Sequence, residues 1–123
     1  MTTIFGKKSL DKLATCDVRL QTLIMESAKD IPFDFTILCG HRNKEDQDAA
    51  FAAGKSKLKW PDSKHNFNPS KAVDIAPIPI DWNDIDKFRQ LRDHVMNVAE
   101  KLDIKIRNGS EFSFKDWPHY ELI

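Results

Sequence analysis

Ala72-Val73-Asp74-Ile75-Ala76 (AVDIA), closed by Pro77 and Pro79, reads as a short strand in the middle of the chain. Side chains alternate along a strand, so Ala72, Asp74 and Ala76 face one way while Val73 and Ile75 face the other. An aspartate flanked on its own face by two alanines has room above it for something bulky, such as a metal with its water. A buried carboxylate capping a loop through backbone N–H groups is the plainer alternative, and alternation leaves both open.

Working toward the N-terminus, Lys55 to Pro69 is polar, aromatic and proline-punctuated, hence loop. Asn43 to Gly54 (NKEDQDAAFAAG) opens on a capping residue and early acids and closes on glycine, the signals of a short helix. Phe33 to Cys39 (FDFTILC) is aromatic and β-branched and ends at Gly40, a second strand. From Ser9 to Lys29, Leu13, Leu20, Leu23, Ile24 and Ala28 fall near helical spacing. At least Asp17 to Lys29 is therefore expected to be helix, with Asp17 as a possible cap.

Toward the C-terminus, Asn83 or Asp84 starts the clearest helix, which ends near Leu102. Its expected buried stripe is Ile85, Phe88, Leu91, Val95, Val98 and Leu102. Ile104 to Arg107 (IKIR) alternates as a strand, and after a turn at Gly109 the segment Trp117 to Leu122 forms a last one. This order predicts an α+β fold: one small domain over residues 1–123, with helices packed on a largely antiparallel sheet.

Composition agrees. With 123 residues the chain can bury roughly two-thirds of its unfolded surface, and 41% hydrophobic with 31% charged residues describes an ordinary globule. Lys plus Arg equals Asp plus Glu at 19 each, which removes any long-range pull toward nucleic acid or anionic membrane. No apolar run approaches a membrane span, and the first ten residues lack a signal-peptide pattern. Cys16 and Cys39 have no metal-type spacing; one disulfide is conceivable, and two free buried thiols suit a chain of this size better.

Four histidines are not equivalent. His94 lies at the margin of the long helix's apolar stripe, and His41 follows Gly40 without an obvious partner. His65 lies in the loop run Ser63-Lys64-His65-Asn66, shortly before Asp74. His119 lies in Asp116-Trp117-Pro118-His119-Tyr120-Glu121-Leu122, where Pro118 restricts Trp117 to extended geometry and suggests a sheet edge. A C-terminal strand whose Trp and Tyr merely pack would explain this segment as well. Together, His65, Asp74 and His119 make a catalytic zinc set of two imidazoles and one carboxylate, with a fourth position for water. Asp116 is the natural proton carrier and Arg42 the natural cation for a developing oxyanion.

The runs CGHRNKEDQDAAFAAGKSKLKW, SKHNFNPSKAVDIAP and DWPHYEL resemble the zinc peptidases that include phage L-alanyl-D-glutamate endolysins and D-Ala-D-Ala carboxypeptidases and dipeptidases, nearest to the endolysin branch. The resemblance covers about residues 31 to 122. It implies Zn2+ on His65, Asp74 and His119, Asp116 as general base and later acid, and Arg42 as the group that polarises the scissile carbonyl. It also implies substrate-binding or supporting roles for Ser63 and Gln47. Asn68-Pro69-Ser70 look like an inserted loop, His41 replaces an aromatic residue, and Arg107 to Phe112 depart from the family's usual segment.

The expected function is that of a zinc-dependent peptidoglycan peptidase, an endolysin cutting the L-alanyl-D-glutamate bond of stem peptides through a zinc-activated water. A D,D-carboxypeptidase or dipeptidase, or a non-catalytic wall-binding module, are the alternatives. The expected setting is a monomer without a separate wall-binding domain or signal peptide. It would wait in the host cytoplasm for a separate holin-like protein and then reach the periplasm and wall.

Overall fold

The stretch expected as one N-terminal helix is two in the computed structural model, which describes residues 1–123: α1 over Lys7–Leu13 and α2 over Val18–Ser27. Asp17 separates them by capping α2, its carboxylate accepting from the Arg19 backbone N–H at 2.9 Å. The break serves the chain's path. Asp17 N–H donates to the Ser70 carbonyl and Ser70 N–H to the Thr15 carbonyl, while Cys16 pairs with Ser70. Asn68-Pro69-Ser70 is thus a tethered approach to the next strand, and Ser70 is fully buried.

Strand β1 spans Phe35–Cys39, helix α3 Lys44–Ala52, strand β2 Ala72–Pro77, helix α4 Ile85–Leu102, strand β3 Ile106–Gly109 and strand β4 Asp116–Leu122. Asn43 caps α3 and Asp84 caps α4 through side-chain acceptors. The sheet runs β1-β2-β4-β3 with every neighbouring pair antiparallel, so the α+β expectation holds. Val73 and Ile75 join Tyr120 and Leu122 in a core covered by α2 and α4. Asp74 lies on the opposite face between Ala72 and Ala76, both fully buried.

Two details differ from the sequence reading. The stripe of α4 that is buried is Phe88, Leu91, Val95 and Ala99, while Leu102 is exposed because the helix ends there in a left-handed Asp103. Strand β4 is interior, not an edge, between β2 and β3. Pro118 is tolerated because the β3–β4 register jumps there: Asn108 faces Tyr120, yet Gly109 faces Asp116. A bulge needs no ladder donor from the proline. The Asn108 side-chain amide donates to the carbonyls of Trp117 and His119 instead, at 2.9 and 3.0 Å. No helix is long and apolar enough to cross a membrane.

Gly40 ends β1 against α1, where a Cβ would collide with Thr15 Oγ1 and the Lys12 carbonyl. Gly40→Ala should therefore cost about 1–3 kcal/mol through overpacking. The check is urea unfolding, with the midpoint lowered at an unchanged slope.

Candidate metal centre

The sheet register itself assembles the site. Asp74 on β2 stands directly opposite His119 on β4, so both side chains project from the same face. His65 arrives from above on a single 3-10 turn, Lys64–Asn66, whose start is capped by Ser63. His65 Nε2 lies 3.1 Å and His119 Nδ1 3.2 Å from the same atom, Asp74 Oδ1.

Each imidazole is fixed from behind. His65 Nδ1 is 2.7 Å from the Gly40 carbonyl oxygen, which can only accept, so Nδ1–H donates there and Nε2 faces Asp74. His119 Nε2 is 2.8 Å from Glu121 Oε1, so Nε2–H donates there and Nδ1 faces the centre. Burial acts against ionised Glu121, but His119 and Arg107 outweigh it and hold its carboxyl below its ordinary range. Paired carbonyl and carboxylate partners of this kind set the tautomers that metal-binding histidines require. A tetrahedral zinc places neighbouring N and O donors about 3.3–3.6 Å apart, close to the separations of 3.1 and 3.2 Å observed here. The distance of each nitrogen from Asp74 Oδ1 is compatible with a shared divalent metal, while the donors that all lie within 4.8 Å of one another are those of Cys39, His65 and Asp74.

Protons hold the metal-free cluster together. For His65, burial disfavours the charged form, but the charge and hydrogen bond of Asp74 outweigh it and push the imidazole up to about 10. His119 is likewise raised to about 9, burial being overcome by hydrogen bonds to Asp74 and Glu121. Asp74 responds in the other direction: burial opposes ionisation, and the two imidazoles hold its carboxyl far below the usual range.

Around this centre, Arg42 Nη2 is 3.8 Å from Asp74 Oδ2, and its Nη1 donates to Gln47 Oε1 at 3.0 Å. Asp116 is half-buried at the start of β4 and raised above its ordinary range, first by burial and then by the charge of Asp74. It also lines a cleft with Trp82, Phe88 and Trp117. Gln47 and Ser63, expected at the substrate, are both buried beside Arg42 and His65. Gln47 is fully buried, its amide also donating to Ser56 Oγ and the Leu58 carbonyl. Ser63 Oγ accepts from His65 N–H. His41 bonds the Phe67 carbonyl and His94 the Ser27 carbonyl, both away from the cluster.

Sequence reasoning passed over Glu121, although strand alternation puts it on the face of His119 two residues earlier. It also passed over Cys39, whose Sγ lies with donor atoms of His65 and Asp74 inside a mutual 4.8 Å. Both thiols are free, but only Cys16 is buried.

The sequence model of phage L-alanyl-D-glutamate peptidases matches residues 1–122. The chain belongs to that family. It is 34% identical over 121 residues to the L-alanyl-D-glutamate peptidase of Escherichia phage T5, covering 96% of this chain and 88% of that protein. The crystal structure of the Serratia marcescens L-Ala D-Glu endopeptidase ChiX superimposes with a TM-score of 0.83 at 25% identity, over 97% of this chain and 89% of that one. The Phe112 ring tilts against His119 with centroids 5.6 Å apart, and the Arg107 guanidinium lies 5.3 Å from the Phe112 centroid.

Two outcomes follow from the geometry. Glu121→Ala frees the His119 ring and should weaken metal binding about 10–100-fold, measured by competition with a chromogenic chelator. In the metal-free protein, both imidazoles are raised above their ordinary 6.5, so their contribution to stability is complete below pH 6.5 and lost as pH climbs through about 9–10. The melting temperature in chelator should fall across that window, and Asp74→Asn should flatten the fall.

Proposed function

We propose that this chain is a zinc-dependent endopeptidase that hydrolyses the L-alanyl-D-glutamate bond of peptidoglycan stem peptides, with zinc held by His65, Asp74 and His119. The observation that carries the reading is the convergence of two tautomer-fixed imidazole nitrogens on Asp74 Oδ1. Family membership supplies the bond.

Bound zinc supplies a Lewis acid that brings a water's pKa down to about 7. The remaining chemistry belongs to the chain. Asp116, raised by burial and by Asp74, takes the proton of the attacking water. It then delivers that proton to the nitrogen of D-glutamate as the C–N bond breaks. Arg42, steadied by Gln47, offers its guanidinium to the oxygen of the L-alanyl carbonyl as negative charge develops there. Gln47 and Ser63 are positioning residues, the first for Arg42 and the second for His65. The proposal includes a phage setting, for which the phage T5 relative speaks, with a monomer that reaches the wall after a separate holin-like protein opens the host membrane.

The test is digestion of purified peptidoglycan followed by mass spectrometry. Stems ending in a new D-glutamate amino terminus are expected; release of terminal D-alanine alone would instead make the enzyme a D,D-carboxypeptidase. Arg42→Ala should lower kcat by about 10²–10³, and Asp116→Asn by about 10²–10⁴, each with metal content unchanged. His65→Ala should lose both metal and cleavage.

A further inference from the structure

We propose that the cleft beside Asp116 receives the D-glutamate residue on the leaving side of the scissile bond, and that Lys115 binds its free α-carboxylate. The inference rests on the peptidase reading above and adds which stem chemistry the site prefers.

The first support is the lining of the cleft. Its volume is about 240 Å³, and its walls include Trp82, Phe88, Trp117 and Pro118, with Lys115 and Asp116 as the only charged groups. That is below the roughly 300–1,000 Å³ of clefts that enclose drug-sized ligands, so it suits one residue better than a length of polymer. The outer wall is braced. Trp82 is 58% exposed, yet its ring stacks on the buried Phe88 with centroids 5.6 Å apart and planes 17° from parallel. A fixed apolar wall with a few placed polar groups is the usual make-up of a ligand site.

The second support is an unspent charge. Three cations surround the Trp117 ring, with Arg89, Arg92 and Lys115 at 5.7, 5.3 and 6.0 Å from its centroid. Arg89 is paired with Asp86 and Arg92 with Asp93. Lys115 has no carboxylate partner: its exposed ammonium reaches the Ser110 carbonyl alone, at 3.4 Å. An ammonium carries three donors, so most of its capacity is left for a ligand.

The third support is the substrate's own connectivity. In the proposed reaction Asp116 returns a proton to the D-glutamate nitrogen. That nitrogen and the α-carboxyl group share one carbon, so the anion must lie beside whatever group serves the nitrogen. Lys115 precedes Asp116 in the chain and lines the same cleft. The stem continues through the γ-carboxyl group, which sends the side-chain methylenes along the Trp82 and Trp117 walls. The α-carboxyl group is left as an acid or capped as an amide, and only the acid offers Lys115 a charge.

Two substrates read the assignment directly: N-acetyl-L-alanyl-D-glutamyl-L-lysine joined through the γ-carboxyl group, and the same peptide with its α-carboxyl group amidated. They differ by one charge at nearly constant shape. The zinc-loaded wild type should favour the acid by about tenfold in kcat/KM, the lower end for a hydrogen bond to a charged group. The difference should lie mainly in KM, because the α-carboxylate has the same charge before and during bond cleavage. It should shrink as sodium chloride is added. Lys115→Met should abolish the preference through a higher KM for the acid, and Lys115→Arg should keep it. Equal cleavage of both peptides by the wild type, or a preference that survives in Lys115→Met, overturns the Lys115 assignment and leaves the peptidase reading standing. A zinc-loaded wild type that cleaves neither peptide overturns both.

Discussion

Everything in the site turns on one carboxylate oxygen. Asp74 Oδ1 receives a ring nitrogen from His65 and another from His119, and these come from segments with no local relation in sequence. The pairing of β2 with β4 supplies one, and the capped turn after Ser63 supplies the other. Behind each ring stands an acceptor that decides which nitrogen keeps its proton: the Gly40 carbonyl for His65 and Glu121 for His119. Leaving Asp74 uncharged or moving it one residue would abandon both imidazoles in a buried place, where an unpartnered polar group is costly.

The regular sheet positions Asp74, and the irregularities on both sides of β2 bring up what surrounds it. On the β1 side a register shift turns Cys39 from the core toward the site. On the β4 side a second shift spans Trp117-Pro118, so that Gly109 faces Asp116 while Asn108 faces Tyr120. The Asn108 amide occupies the carbonyls that this second shift leaves without ladder partners. Regularity thus builds the floor, and departures from it bring the reactive groups to the rim.

The parts of this arrangement legible in sequence are those governed by local periodicity. AVDIA with its two alanines announces an aspartate on an open face, and the stripe of Phe88, Leu91 and Val95 announces α4. Asn43, Asp84 and Asp17 announce helix starts, although the Asp17 start implies a division at Ala14–Cys16 that apolar spacing alone does not show. What stays hidden depends on long-range pairing. No local signal tells that Cys39 is turned outward by a bulge, that DWPHYEL is an interior strand, or that Gln47 is sealed behind Arg42. The family resemblance identifies Gln47 and Ser63 as site residues without telling which side of the site they occupy. Burial decides that, and burial is a property of the assembled fold.

The chain of contacts from Arg107 through Glu121 to His119 runs from surface to centre. Arg107 binds Glu121 Oε2 at 3.1 Å with its side chain half open to water, at 52% exposure, while Glu121 Oε1 binds His119 from within. The outer link is open to screening by dissolved ions, whereas the inner link is sheltered. As ionic strength rises, Arg107 withdraws less charge from Glu121, and the carboxylate draws harder on the His119 proton. The electron-donating power of His119 Nδ1 is thereby tied to the saltiness of the medium, which makes a surface arginine a dial on a buried imidazole.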